Sequence, residues 1–357
     1  MNLLLLGDIS PTIANYDHFK NESIDYLFND TLSLFKDKDF VLANLECAIT
    51  DHETPIKKFG PPLKAPYNTA KVLKSIGVTH LCLSNNHIFD FGKKGIEDTY
   101  KALNDHKLGY TGFGKNYEDS RKNLVLEKDG QKIAIICVCE HEYSYALSDR
   151  MGSRPFEIYD TIYDIENAKK ECDRVIVTYH GGKEESRYPS PRLIKVCRAM
   201  AKAGADVILC QHSHCIGCYE KIDGCHILYG QGNFHFVKTE HIPPIKIPYW
   251  ENALAVNYNT ENNNIEFIPT VSIIDRIELA KGEEKERILK EFEERNEELK
   301  NGKWKDGWHK FCESKRDDYT KIIMGNDIDN IAHYLDCEAH TDVWHELFPT
   351  WNHTNEK

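Results

Sequence analysis

Six short apolar runs in this chain each break off into side chains of the kind that ligate metals: LLLLGD (3–8), FVLANLE (40–46), THLCLSNNH (79–87), RVIVTYH (174–180), DVILCQHSH (206–214) and HILYGQGN (226–233). Continuous apolar runs of this length read as strands buried on both faces. In open α/β sheets the carboxyl ends of parallel strands are where ligands sit. The clusters bring Asp8, Asn44, Glu46, Asn86, His87, His180, His212, His214 and Asn233 to such ends. One strand ending in histidine means little, but several imply a single metal-centred site built from His, carboxylate and amide groups.

The rest of the sequence agrees with an α/β chain. Helices are predicted at 23–36, 67–76, 93–106, 162–171 and 190–203, alternating with the runs. Asp129-Gly130 between apolar stretches at 122–127 and 132–138 predicts a hairpin, so the sheet is mixed. A second hairpin is expected from 254–258 and 264–268. The composition shifts near 280. The segment KGEEKERILKEFEERNEELKNGK carries Ile288, Leu289, Phe292 and Leu299 as an apolar stripe and predicts an amphipathic helix. The chain to 357 is aromatic-rich, with Trp304, Trp308, Phe311, Tyr319, Tyr334, Trp344, Phe348 and Trp351. The domain reading is therefore a body at 1–279 and a helical C-terminal extension at 280–357.

Charge narrows the partners. With 45 Lys+Arg against 57 Asp+Glu the net charge is −12, a poor match for a phosphate backbone, so no nucleic-acid partner is expected. An anionic small-molecule or polymer substrate stays compatible, because bound divalent cations reverse the local field. No run of 18 apolar residues predicts a membrane span. Leu3–Leu6 runs straight into Gly7-Asp8 with no basic region or cleavage site, and several of the 12 cysteines lie within predicted strands. Both features predict a reduced, cytoplasmic protein.

The clusters carry specific chemistry. Alternation puts Asn44 and Glu46 on one face of a strand tip; the carboxylate can bridge two cations and the amide can orient it. In Ser84-Asn85-Asn86-His87-x-x-Asp90, the amide of Asn86 can ligate without adding charge. His87 can act as acid or electrostatic stabiliser, with Asp90 orienting it; a capping run is the plainer alternative. His180-Gly181-Gly182 allows close backbone approach, and Glu184 and Arg192 follow. Arg192 can hold an anionic group or simply ride on the 190–203 helix. His212 and His214, two residues apart, can bind one ion or two neighbouring ones. Alternatively they join Cys215, Cys218 and Cys225 in a structural zinc site. His141, flanked by Glu140 and Glu142, can line the site and His235 follows the sixth cluster, but each is more often a satisfied, partly buried histidine than a ligand.

The ordered set Gly-Asp, Asn-Leu-Glu, Asn-Asn-His-x-x-Asp-x-Gly, His-Gly-Gly, Gln-His-Ser-His and Tyr-Gly-x-Gly-Asn-Phe resembles the CapA family of poly-gamma-glutamate and capsule-biosynthesis proteins. That family is similar to the calcineurin-like metallophosphoesterases. The resemblance covers roughly residues 1–237. It implies a four-layer αββα sandwich with one or two divalent ions (Mn, Zn, Fe, Mg or Ca) at the strand ends. It also implies Asp8 and His214 on a first metal, Glu46 bridging, Asn86, His180 and His212 on a second, and His87 as acid. Asn44 and Asp90 would support them. Three positions depart from the superfamily pattern: Ser10 replaces a histidine, Glu46 an aspartate and Gln211 a glycine. The missing histidine is compatible with a single ion. The activity expected is hydrolysis of a phosphoester or of a gamma-glutamyl or capsule-related substrate. Epimerisation alpha to a carbonyl, or a non-catalytic scaffold for polymer synthesis, are the alternatives.

Overall fold

A computed structural model describes residues 1–140, 142–238 and 249–349. His141, Trp351 and the side chain of Glu142 lie outside the described residues. The apolar runs pair into two sheets. In the first, Asn2–Ile9, Phe40–Leu45, His80–Cys82 and Gly109–Thr111 lie side by side and parallel. Asn252–Asn259, Asn264–Ile273 and Arg276–Leu279 extend its other edge antiparallel. In the second sheet, Gln131–Cys139, Arg174–His180, Val207–Gln211 and Cys225–Tyr229 run parallel, with Leu124–Lys128 and Tyr219–Ile222 on the edges. Asp129 and Gly130 close the predicted hairpin at φ 52° and 78°, the left-handed pair a two-residue turn requires.

Alternation along each strand gives the sheets two apolar faces, and three buried cores follow. Leu3, Leu5 and Leu42 face Ile133, Ile135, Ile176 and Leu209 between the sheets. Leu4, Val41 and Leu81 pack outward on Val72, Leu73 and Ile96 from helices Thr69–Ile76 and Gly92–Asp105. Ile136, Val177 and Ile208 pack outward on Ile165, Ile194 and Cys197 from Ile158–Glu171 and Pro191–Lys202. The order is helix, sheet, sheet, helix, the four-layer arrangement expected. The predicted helix at 23–36 is broken. An α-helical turn at Ile24–Phe28 passes into a 3₁₀ segment at Asn29–Phe35, with Asn29 in a positive-φ conformation (φ 42°) that an α-helix cannot contain.

Four helices, Gly282–Asn301, Trp304–Met324, Ile328–Asp336 and Glu338–Leu347, make up the described C-terminal part. They do not form a core apart. Ile288 and Phe292 close the edge of the inter-sheet core, and Trp304, Trp308, Cys312, Tyr319, Val343 and Leu347 complete the outer core of the second sheet. No helix among the described residues is long and apolar enough to cross a membrane.

Candidate metal centre

Register fixes the site. Asp8 lies opposite Asn44 across the first sheet, and His180 lies opposite both Cys139 and Gln211 across the second. The parallel strands therefore end together, and the two sets of tips face each other. Gly7 is required at the first tip, since a Cβ there would stand 2.1 Å from the Gly232 carbonyl oxygen.

Asp8 is buried; its Oδ1 accepts from Asn44 Nδ2 at 2.8 Å and its Oδ2 from the His212 backbone N–H at 3.1 Å. Asn44 Nδ2 is also 3.2 Å from His180 Nδ1. His180 Nε2 is 2.9 Å from Asn86 Oδ1 and 3.3 Å from Glu46 Oε1. His214 Nδ1 is 2.8 Å from Asn233 Oδ1 and 3.8 Å from Asp8 Oδ2, its ring against Trp250. The rings of His180 and His212 are centred 5.0 Å apart. Glu184 stands on the rim, its Oε1 3.8 Å from His212 Nε2. His212 and His214 both hold positive φ, 77° and 54°. Non-glycine residues in that region store strain, which persists where the surroundings over-determine it and clusters at functional sites.

Two groups of three side chains bring ligand atoms within 4.8 Å of one another: Asp8, Glu46 and His180, and Glu46, His212 and His214. Glu46 belongs to both. It is completely buried, and neither carboxylate oxygen has a hydrogen-bond partner among the described residues. A buried carboxylate without a donor is costly unless a cation faces it. Burial, aided by the charge of Glu46, pushes the Asp8 carboxyl up to about 6, and burial raises Glu46 as well. Burial would lower His214, but Glu46 and Asp8 outweigh it and raise its pKa. Two carboxylates and three imidazoles in a dry pocket fit a divalent cation.

Beside this pocket lies a second cluster. His87 Nδ1 is 2.7 Å from Asp90 Oδ2. Asn85 shapes the turn: its Oδ1 accepts from the His87 and Ile88 backbone N–H groups, and its Nδ2 reaches Asn44 Oδ1 and the Leu45 carbonyl. Burial and the Lys58 charge lower the His87 pKa. Lys58, which nothing in the sequence marked, puts its ammonium 2.6 Å from Asp90 Oδ1. Trp250, against His214, was also unforeseen. Both sit in loops, where side chains follow no period that would betray burial.

The structure brings Asp8, Asn44, Glu46, Asn86, His180, His212, His214 and Asn233 together, with His87 and Asp90 beside them and Glu184 at the edge. Two alternatives left open by the sequence are narrowed. The guanidinium of Arg192, on its helix, is engaged by Glu140, Glu338 and Asp342. The cysteine-based zinc site does not form. Cys215 and Cys218 donate to the Ser186 and Arg187 carbonyls, and burial raises their thiols to about 11 and about 12. Neither metal-competent group among the described residues includes a cysteine. His235 is buried in the core, its Nε2 3.2 Å from the Leu27 carbonyl oxygen, while its Nδ1 has no hydrogen-bond partner among the described residues.

The chain is 28% identical over 247 residues to the capsule biosynthesis protein CapA of Bacillus anthracis, covering 66% of this chain and 60% of that protein. It is 30% identical over 222 residues to the PGA biosynthesis protein CapA of Bacillus subtilis (strain 168), covering 61% and 58%. The chain thus spans about three fifths of the length of these relatives. Among solved structures, a hypothetical protein from Thermus thermophilus matches with a TM-score of 0.46 at 13% identity, over 78% of this chain and 99% of that one. The model of the bacterial capsule synthesis protein family PGA_cap matches residues 2–238, a span that holds every strand-end side chain described above, and the chain belongs to that family.

Proposed function

We propose that this protein is a metal-dependent hydrolase serving capsule or poly-gamma-glutamate synthesis, acting on a phosphoester or a gamma-glutamyl substrate. The observation that carries the reading is Glu46: a buried carboxylate without a hydrogen-bond partner among the described residues, shared by two ligand groups and adjacent to a His–Asp pair. Asp8, Glu46, Asn86, His180, His212 and His214 would hold one or two divalent cations. The chemistry such cations supply when bound is Lewis acidity, which makes water a nucleophile near neutral pH and polarises a substrate oxygen. The chain's own groups do the rest. Asn44 orients Asp8 and His180 by sharing its amide between them. Asp90 holds the proton on His87 Nδ1, so that Nε2 takes up the proton released by the attacking water and passes it to the departing group. The buried pocket walls limit bulk water and strengthen each of these interactions.

The test is elemental analysis of the purified protein, followed by turnover assays on phosphoesters and gamma-glutamyl peptides with and without chelator. Chelator-sensitive hydrolysis is the expected result. Stoichiometric metal without turnover on either class would leave a binding role in polymer assembly and overturn the enzymatic reading. Hydrogen–deuterium exchange at a substrate alpha carbon without hydrolysis would replace it with epimerisation.

A further inference from the structure

We propose that Lys58 is a positioning residue for the His87–Asp90 pair, delivered to it by the C-terminal helix Ile328–Asp336. This rests on the reading of His87 given above. Lysine is almost never buried unless paired, and the side chain of Lys58 is 3% exposed. Its ammonium donates to two acceptors on one turn, Asp90 Oδ1 at 2.6 Å and the Asn86 carbonyl oxygen at 3.0 Å, and lies 3.2 Å from His87 Nδ1, whose own proton goes to Asp90. The other oxygen of Asp90 receives His87 Nδ1 at 2.7 Å and the Leu63 backbone N–H at 2.7 Å. With both oxygens engaged the carboxylate cannot rotate, and the imidazole it holds is fixed in plane and in tautomer. The bond to the Asn86 carbonyl steadies the same turn on the side whose amide reaches His180.

The neighbours of Lys58 explain why it stays there. Lys57 pairs with Asp329 at 2.7 Å. Phe59 stacks on His333 with ring centres 4.6 Å apart, and its backbone N–H donates to the Tyr143 hydroxyl at 3.2 Å. That hydroxyl is 2.8 Å from His333 Nδ1. Residues 57 to 59 are thus held on both sides of Lys58 by Ile328–Asp336 and Tyr143. A cavity of about 790 Å³ between loop and helix, lined by Lys57, Lys58, Phe59, Tyr143, Asp329 and His333, opens onto the lysine. Through Lys58, the loop that Ile328–Asp336 holds at Lys57 and Phe59 reaches the turn that carries His87.

The experiment compares full-length wild type with Lys58→Ala, Lys58→Met and His333→Ala. For Lys58→Ala the expected result is a fall in kcat of about 10–100-fold, the usual cost of losing an outer-shell partner, with bound metal and KM unchanged. Methylamine, admitted through the cavity, should restore part of that kcat in Lys58→Ala and none in His87→Ala. His333→Ala should lower kcat in the same direction by a smaller factor. A readout independent of turnover is ¹⁵N NMR of the His87 ring. One tautomer, protonated on Nδ1, is expected in the wild type, and exchange between two in Lys58→Met, which keeps the side-chain stem should Lys58→Ala fold poorly. An unchanged ring signal in Lys58→Met overturns the proposal even if no substrate is ever found. Loss of metal without amine rescue also overturns it, in favour of a purely structural anchor. Absence of chelator-sensitive turnover in the wild type counts against the hydrolase reading alone.

Discussion

Two buried polar clusters share the strand ends and are completed in different ways. Around His87, Asp90 and Lys58 the protein supplies nearly every partner: both oxygens of Asp90 are hydrogen-bonded, and an ammonium balances the charge. Around Asp8 and Glu46 it supplies ligands unevenly: Asp8 accepts from Asn44 and from the His212 backbone N–H, but neither oxygen of Glu46 has a hydrogen-bond partner among the described residues. The first cluster is finished by folding. The second is, in the function proposed above, completed by a divalent cation. Both lie largely out of solvent; what separates them is that Asp90 is paired on both oxygens within the chain and Glu46 has no hydrogen-bond partner among the described residues.

That contrast can be broken by experiment, most sharply at His87. His87→Ala should leave bound metal unchanged while turnover falls by roughly 10²–10⁴-fold, the range for a lost general acid. Intact activity on every substrate hydrolysed by the wild type would deny His87 a catalytic role. On the other side of the contrast, Glu46→Gln, His180→Ala or His212→Ala should each weaken divalent-metal binding by at least about 100-fold, since even outer-shell changes cost about 10–100-fold. Titration calorimetry with Mn²⁺ or Zn²⁺ reads this directly, and wild-type affinity in all three would sink the assignment.

Stability gives a smaller effect. Metal at one hundred times its dissociation constant should add about 2.7 kcal/mol, read as a rise in Tm that Glu46→Gln abolishes. The dependence on pH should have opposite sign in the two clusters. Asp8 has its carboxyl raised from 3.8 to about 6 by burial and by Glu46. Its contribution in the metal-free protein is therefore complete below about 3.8 and lost as pH rises through about 6. Burial would raise Asp90, but His87 and Lys58 outweigh it and hold its pKa below the ordinary value. Its contribution is present above the unfolded value and lost as pH falls through the folded one. Chelator-treated Asp8→Asn should thus shrink the decline between about pH 4 and 6, to which the raised Glu46 also contributes and which the raised His214 prolongs above 6.5, whereas Asp90→Asn should not alter it. The same decline in both variants would place its origin elsewhere.

Much of this was written in the sequence because backbone periodicity enforces it. A run such as RVIVTYH can only be a doubly buried strand ending in histidine, and six such runs must share one end of a sheet or of two. The hairpin at Asp129-Gly130 was equally plain, because few residues tolerate two consecutive left-handed positions. What escaped was set by distant partners. Nothing in PIKKFGPP distinguishes Lys58 from Lys57, yet the first is buried on Asp90 and the second is exposed. The role of Arg192 stayed open because its three carboxylates stand at positions 140, 338 and 342, which no local pattern joins to it. The break at Asn29 was hidden because the hydrophobic spacing of 23–36 continues across it.

All 12 cysteines are buried, and they are distributed through the layers. Cys47 lies in the outer core of the first sheet, Cys82 and Cys137 between the sheets, Cys197 and Cys210 in the outer core of the second, and Cys312 in the part that the C-terminal helices add to it. Burial lifts the Cys47, Cys82, Cys197 and Cys312 thiols above their ordinary range. Only the thiolate reacts readily with alkylating reagents, so each sulfur stays silent until its own layer opens. A time course of alkylation followed by peptide mass spectrometry would therefore act as a clock with a hand in every layer, timing the departure of the C-terminal helices separately from the parting of the two sheets.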